Sequence, residues 1–304
     1  MSEVLATKVG SLALASCVMT ASGTSGHGDE LGAYGDLSQL GAVVVKSLSP
    51  FAHPGNPSPR VATVPVGMMN SVGLQGEGIE QWLATELPRL QQRGARIVVS
   101  VWGRTIEDYA SCGELLHGAP IDAIEVNVSC PNVEDRSRMF AHSAEATFNA
   151  VAAVGAAGSI PRWAKLSPNT FELPEIAAAA AQAGAEAVTA INTVLGMSID
   201  VERKSARLGA GGGGLSGPAI HNVAVRAVFE CAKANPGLSI VGVGGVMRGL
   251  DAIELLMAGA CAVQVGTASF VDPRAPWRIA KEVEAWMHDR SITSVQELIG
   301  AAHG

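Results

Sequence analysis

The stretch SIVGVGGVMRGLDAIELLMAGACAVQVGT, residues 239–267, carries the pattern that decides the fold. It predicts an apolar strand over Ser239–Val243, a helix over Leu250–Ala258 and a second apolar strand over Ala262–Val265. Both strands are almost continuously apolar, which is typical of a parallel sheet whose two faces are covered. The stretch therefore predicts a strand–helix–strand unit of an α/β protein.

The same unit recurs along the whole chain. Six further strands are predicted, at Val18–Ala21, Ala42–Lys46, Arg96–Val101, Ala123–Asn127, Arg162–Leu166 and Ala187–Ile191. Further helices are predicted at Asp29–Leu40, Gly78–Gln92, Thr105–Leu116, Ser143–Gly155, Leu173–Ala183, Ala219–Ala234 and Ala275–His288. Eight repeats in 304 residues favour a single (β/α)8 TIM barrel over an open doubly wound sheet. We expect residues 1–304 to form one domain, with an N-terminal β-hairpin (Leu5–Lys8 and Ser11–Leu14) that caps the bottom of the barrel.

Three long segments interrupt the repeats: Ser47–Gly76, Ser129–His142 and Thr193–Gly217. Each follows the carboxyl end of a predicted strand, where barrel enzymes carry their active-site loops. Within the third, Gly209–Gly214 matches the GxGxxG pattern of dinucleotide sites. No strand precedes it, so we expect a mobile loop there and not a dinucleotide site.

Composition excludes several functional classes. Lys and Arg total 21 and Asp and Glu total 28, a formal charge of −7, which argues against binding to nucleic acid or to an anionic membrane. The chain is 48% hydrophobic, which excludes disorder, and its apolar runs are too short to span a bilayer. The five cysteines include no CxxC pair, and no secretory signal is visible. We expect a cytoplasmic protein without a metal site.

The most specific motif is Asn127-Val-Ser-Cys-Pro-Asn132, which directly follows a predicted strand. Its position places Cys130 in a loop above the barrel mouth, and we interpret Cys130 as a functional cysteine. Cys17, Cys231 and Cys261 are expected to be buried and structural, as free cysteines commonly are.

Two lysines close apolar strands. Lys46 and Lys165 are expected at the barrel mouth, where an unpaired ammonium group is costly. Together they indicate an anionic ligand, although a Schiff-base nucleophile and snorkelling to solvent are alternatives.

Glycines follow the last two strands and point to a phosphate site. Gly244 and Gly245 follow the seventh strand, and Gly266 and Thr267 follow the eighth. The loops at these two strand ends often bind phosphate in barrels, because glycine lets backbone amides approach the oxygens.

These residues, taken together, resemble the catalytic subunit of the class 1B (NAD-linked) dihydroorotate dehydrogenases over nearly the whole chain. The resemblance rests on residues 21–24, Lys46-Ser47, residues 55–60, 70–74, 127–132, 165–169, 191–193, 214–218, 242–245 and 266–267. It implies FMN-dependent oxidation of dihydroorotate to orotate, with Cys130 as the base and hydride transfer to the flavin.

The resemblance also assigns site residues and partners. It implies substrate binding by Lys46, Asn70, Ser71, Val72, Gly73, Leu74, Asn127, Asn192 and Thr193. It implies flavin binding by Ser22, Lys46, Ser47, Ser100, Asn127, Lys165, Ile191, Gly217, Gly244, Gly245, Gly266 and Thr267. An accessory subunit with FAD and a 2Fe–2S cluster would pass electrons to NAD, around a homodimer core in a heterotetramer.

The sequence departs from the family pattern at Ser100, where an asparagine is common, and in the loops at 133–139 and 209–213. Three alternatives stay open at this point. They are a fumarate-linked class 1A or related flavin-dependent pyrimidine oxidoreductase, a Schiff-base aldolase using Lys165, and a non-catalytic flavin-binding barrel.

Overall fold

The computed structural model describes residues 3–129, 131–132 and 138–304. Its central element is a parallel eight-stranded sheet with the order β1-β8-β7-β6-β5-β4-β3-β2. The strands are β1 (Val18–Thr20), β2 (Val43–Val44), β3 (Ile97–Val101), β4 (Ala123–Asn127), β5 (Arg162–Leu166), β6 (Ala187–Ala190), β7 (Ser239–Val243) and β8 (Ala262–Val265). The amide of Thr20 donates to Ala42 at 3.2 Å and that of Gly41 donates to Val18 at 2.8 Å, which joins β1 to β2. The predicted TIM barrel is confirmed.

Helices cover the outside of the barrel. They are α1 (Ile79–Thr85), α2 (Leu87–Gln92), α3 (Ile106–Leu116), α4 (Ala144–Gly155), α5 (Leu173–Gln182), α6 (His221–Ala234), α7 (Gly249–Met257), α8 (Ala268–Val271) and α9 (Ala275–His288). Thr105 caps α3 by accepting from the amide of Asp108, and Ser143 caps α4 by accepting from that of Ala146. None of the described helices is both long and apolar enough to cross a bilayer.

Two predicted helices differ in the structure. The segment predicted as a helix over Asp29–Leu40 forms only two 3₁₀ turns, Glu30–Ala33 and Leu37–Gln39. Between them, Gly35 packs so close to Trp277 that a Cβ atom would lie 2.6 Å from the indole ring, and the extended Asp36 caps the second turn. The helix predicted over Gly78–Gln92 is divided at Glu86 into α1 and α2. Pro88, at the start of α2, has no amide hydrogen to continue the first helix.

The predicted N-terminal hairpin is confirmed. Thr7–Val9 pairs with Leu12–Leu14 and covers the amino-terminal end of the barrel. The Thr7 hydroxyl donates to the carbonyl of Cys261 at 2.7 Å, and Val9 and Leu14 of the hairpin belong to the same buried apolar cluster as Trp163 of β5. This end of the barrel is therefore filled by apolar side chains.

Two of the long loops pair with each other at the carboxyl-terminal face. We call the resulting antiparallel sheet the covering sheet; its strands, in order, are Val194–Gly196, Gly213–Ser216, Gly67–Asn70 and Val61–Val64. The expectation of a mobile loop over the glycine run is wrong for Gly213 and Gly214. A Cβ atom at Gly213 would lie 2.3 Å from the carbonyl of Asn70, and one at Gly214 would lie 2.0 Å from the Thr193 hydroxyl. These two glycines permit close approach of neighbouring backbones.

The packing of α3 on α4 generates a stability prediction. Gly113 on α3 leaves no space for a side chain, because a Cβ atom there would lie 2.3 Å from the carbonyl of Val154. Alanine usually stabilises a helix interior over glycine by about 1 kcal/mol. Here we expect Gly113→Ala to lower the free energy of unfolding by about 1–3 kcal/mol, because the two helices must separate. Urea denaturation measures the change, with Glu114→Ala, exposed on the same helix, as the control. An unchanged or higher stability for Gly113→Ala would contradict this packing.

Candidate active site

A cavity of about 270 Å³ lies at the carboxyl-terminal face, between the barrel strands and the covering sheet. It brings together most of the residues that the sequence predicted for the site. The predicted residues that line it are Ser22, Lys46, Ser47, Asn70, Val72, Gly73, Leu74, Asn127, Lys165, Ile191, Asn192, Thr193, Gly217, Gly244, Gly245, Gly266 and Thr267.

Two predicted residues are placed differently, and a third lies outside the described residues. Ser100 is buried behind the cavity, where its hydroxyl lies 2.9 Å from that of Ser47. Ser71 does not line the cavity either; its hydroxyl accepts from the Asn56 side-chain amide at 2.9 Å. Cys130 lies outside the described residues, directly after Ser129, which lines the cavity.

A chain of hydrogen bonds joins the ends of several barrel strands along one wall of the cavity. The Asn192 amide donates to the Asn127 side-chain carbonyl at 3.3 Å, and the Asn127 amide donates to the Ser47 hydroxyl at 3.3 Å. The Ser47 hydroxyl in turn lies 3.2 Å from that of Ser22. Each side chain is thus held by its neighbour and offers polar atoms to the cavity in a defined orientation.

Backbone amides form the second polar surface of the cavity. The amide hydrogens of Gly244, Gly245, Gly266 and Thr267 have no acceptor among the residues that the structure describes. All four residues line the cavity at two neighbouring strand ends, and backbone amides grouped in this way suit an anionic ligand. The φ angles of Gly244 (139°) and Gly245 (69°) explain why glycine follows β7.

An ion pair forms the floor of the cavity. Lys165 is only 6% exposed, and its Nζ atom lies 3.6 Å from Oε1 of the fully buried Glu125. The other oxygen of Glu125 accepts from Gln264 at 2.9 Å and from Thr189 at 3.0 Å. A carboxylate inside the barrel therefore already faces the charge of Lys165, which also lines the cavity.

Lys46 contributes a second cation to the cavity wall. The Lys46 cation also acts on His27. Burial lowers the pKa of His27, and the repulsion from the nearby Lys46 cation lowers that pKa further. The region around Lys46 is therefore unfavourable for additional positive charge and favourable for an anion.

The sequence analysis did not assign the apolar part of the cavity. The residues concerned are Val61, Met68, Ile220, Val243, Val246, Met247 and Phe270. Val246 and Met247 follow the glycine pair after β7, so their position in the repeat was an available signal. Val61 and Met68 lie on the covering sheet, whose strand pairing no local pattern indicated.

The cysteines expected to be structural are buried. Burial raises the pKa of Cys17 and of Cys231 to about 12 and that of Cys261 to about 11, so these thiols stay protonated. Within the described ranges, no cluster of three His, Cys, Asp or Glu side chains could hold a metal ion.

Comparisons with known proteins agree on one family. Residues 4–287 match the family model described as dihydroorotate dehydrogenase. A relative from Geobacter sp. (strain M21), named dihydroorotate dehydrogenase B (NAD(+)), catalytic subunit, is 46% identical over 93% of each chain. A relative of the same name from Trichlorobacter lovleyi is 43% identical over 100% of each chain. Another of that name, from Bacteroides thetaiotaomicron, is 40% identical over 98% of each chain.

The buried ion pair generates a prediction for stability. Lys165→Met removes the cation and leaves the Glu125 carboxylate buried beside an apolar side chain. Breaking such a pair from one side typically costs about 3–5 kcal/mol, and we expect a loss of that order in urea unfolding. Lys281→Met, at an exposed position on α9, serves as the control. Equal stabilities of the two variants would show that the pair contributes nothing to folding.

Proposed function

The chain belongs to the dihydroorotate dehydrogenase family and is an oxidoreductase of pyrimidine biosynthesis, and from this premise we propose that it oxidises dihydroorotate to orotate with one bound FMN. The observation that carries the proposal is the convergence of two polar surfaces in one cavity. Unpaired amides after β7 and β8 suit a phosphate, and the side chains at the ends of β2, β4 and β6 suit a polar ring and a carboxylate.

The residues of the cavity fit a flavin mononucleotide. The amides of Gly244, Gly245, Gly266 and Thr267 would bind its phosphate. Apolar side chains such as Ile191 and Val243 suit the face of a flat ring. The remaining proposed flavin contacts are Ser22, Lys46, Ser47, Asn127, Lys165 and Gly217, and Ser100 would act from behind Ser47.

The proposed substrate site uses the wall formed by the hydrogen-bonded asparagines. Asn127 and Asn192, together with Asn70 and Thr193, would bind the ring and the carboxylate of dihydroorotate. Lys46 would neutralise the carboxylate, and residues 71–74 would close over the ring. In Gly73 the φ angle is 72°, and a Cβ atom would lie 2.5 Å from the Asn56 side chain, so this turn requires glycine.

The proposed reaction removes two hydrogens from neighbouring carbons. FMN, when bound, supplies the two-electron acceptor for the hydride that leaves C6 of dihydroorotate. The thiolate of Cys130 takes the C5 proton, and the electrons of the broken C5–H bond form the C5–C6 double bond of orotate. The ordered asparagine side chains would hold C5 within reach of the thiolate and exclude water.

Family membership separates this proposal from the alternatives. A Schiff-base aldolase using Lys165 is not an oxidoreductase, so the family match does not support it. The names of the relatives contain NAD(+) and so favour the NAD-linked class over a fumarate-linked enzyme. The homodimer core, the cytoplasmic location and the single-domain organisation remain predictions from the sequence.

The central test is the absorbance spectrum of the purified protein under anaerobic conditions. We expect FMN, identified by mass after heat release, and bleaching of its visible bands when dihydroorotate is added. In Cys130→Ser we expect FMN to stay bound while bleaching slows at neutral pH, because a serine hydroxyl is a far weaker acid than a thiol. Bleaching should recover as the pH rises.

A matched control for that variant is Cys261→Ser at the opposite end of the barrel. The carbonyl of Ile240, which accepts from the Cys261 thiol at 3.2 Å, can accept from a serine hydroxyl as well. Equal bleaching rates in Cys130→Ser and Cys261→Ser would remove Cys130 from the mechanism. Protein without flavin, or with FAD, would overturn the proposal as a whole.

A further prediction concerns the electron acceptor. Each turnover leaves two electrons on the flavin, and the sequence contains neither cysteine spacing for an iron–sulfur relay nor a GxGxxG motif in the strand–turn–helix context of a dinucleotide site. The relatives are named as catalytic subunits, which supports an accessory subunit carrying FAD and a 2Fe–2S cluster. With dihydroorotate, the isolated chain should reduce dyes but reduce NAD very slowly until that subunit is added. Equal NAD reduction with and without the subunit would contradict this arrangement, and rapid turnover with fumarate would favour class 1A.

A further inference from the structure

The barrel interior below the cavity contains a buried acidic residue that the proposed reaction does not use. Glu125 on β4 has no exposed surface and, with Thr189 on β6 and Gln264 on β8, belongs to one layer of side chains from even-numbered strands. A carboxylate in such a place is costly unless it is paired. Its contacts therefore indicate what it does.

The two oxygens of Glu125 have different partners. Oε2 accepts from the Gln264 amide at 2.9 Å and from the Thr189 hydroxyl at 3.0 Å. Oε1 accepts no hydrogen bond from the described residues, and the group that faces it is the Lys165 ammonium at 3.6 Å. The neutral side chains thus orient the carboxylate so that its remaining oxygen points at Lys165.

Lys165 connects this layer to the cavity. Lys165 lies on β5, between β4 and β6, and it lines the cavity. Its Nζ atom lies above Glu125 and donates to the side-chain carbonyl oxygen of Gln264 at 3.5 Å. The ammonium group therefore has the carboxylate on one side and the proposed flavin site on the other. Without a carboxylate, an ammonium group this deeply buried would be costly and would turn away.

We propose that Glu125 is a positioning residue for the dehydrogenation: it holds the Lys165 ammonium group against the flavin and acts on the reaction through Lys165 alone. This inference rests on the proposed function, because it requires FMN in the cavity. A fixed cation beside the ring favours the negative charge that accumulates as the flavin accepts a hydride. Glu125 itself contacts neither substrate nor flavin.

The sign of the change in flavin potential separates positioning from a direct charge effect. Removing a nearby anion would by itself make the flavin easier to reduce and raise its midpoint potential. If Glu125 positions Lys165, Glu125→Gln loses the cation as well as the anion. We then expect a more negative midpoint potential and about tenfold slower reduction by dihydroorotate, the range in which indirect supporting residues act.

The experiment is a spectroscopic redox titration of the FMN-loaded protein without substrate, followed by stopped-flow reduction with dihydroorotate. Glu186→Gln is the matched control; it makes the same chemical change beside the N-terminal hairpin, where Glu186 accepts from the amide of Ser11 at 2.6 Å. The double variant, Glu125→Gln with Lys165→Met, should have a midpoint potential that is no more negative than that of Lys165→Met alone, because the effect of Glu125 passes through Lys165. Glu125→Asp keeps the charge but shortens the reach, so a smaller shift in the same direction is expected.

An independent arm uses the flavin-free full chain. Glu125→Gln and Lys165→Met should each lower the urea midpoint of unfolding, and the double variant should be more stable than Lys165→Met, because no unpaired charge stays buried. If Glu125→Gln fails to fold, Glu125→Asp and the double variant carry the test.

The failure of this inference differs from failure of the proposed function. A wild-type chain that binds no FMN would overturn the function. A wild-type chain that binds FMN and is bleached by dihydroorotate, while Glu125→Gln has an unchanged or more positive potential, would overturn only the role of Glu125.

Discussion

A charged side chain that points into a closed barrel is cut off from water and is costly unless it is paired, and this constraint organises the structure. Along each strand alternate residues point inward, so β5 sends Trp163 and Lys165 into the interior. The lower part of the interior is apolar and is closed by the hairpin. The upper part holds Glu125, Thr189 and Gln264; the last two donate to one oxygen of Glu125, and the Lys165 ammonium group faces the other. The polar and charged side chains of the barrel interior therefore lie at the end that opens into the cavity.

The cavity is completed by segments far apart in the sequence. The loop after β2 supplies Met68 and Asn70, and the loop after β6 supplies Ser216, and these strands pair with each other in the covering sheet. Gly213 and Gly214 make this pairing possible, because side chains there would collide with Asn70 and Thr193. A glycine run that looks like a flexible linker is in fact a requirement for close backbone contact.

The sequence also contained signals that were not used. Glu125 stands in the middle of the apolar strand AIEVN and Gln264 in the middle of AVQV. A charged residue at the centre of a buried strand has to be paired, so Glu125 was a signal that Lys165 had a partner within the protein. Which lysine it pairs with depends on the register of β4 against β5, and that register is a property of the assembled sheet.

The local pattern of the chain by itself determined the strand–helix repeat, the barrel class, the hairpin, the two lysines at the barrel mouth and the glycines after the last two strands, whereas the family resemblance supplied most of the other cavity residues. The local pattern could do so because buried strands, helix caps and strand-end glycines are selected by short-range chemistry. Only the tertiary structure decided that Ser100 lies behind Ser47, that two loops form the covering sheet, and that Glu125 faces Lys165 across 3.6 Å. Those contacts join residues from different strands, and barrel closure is the event that brings such strands together.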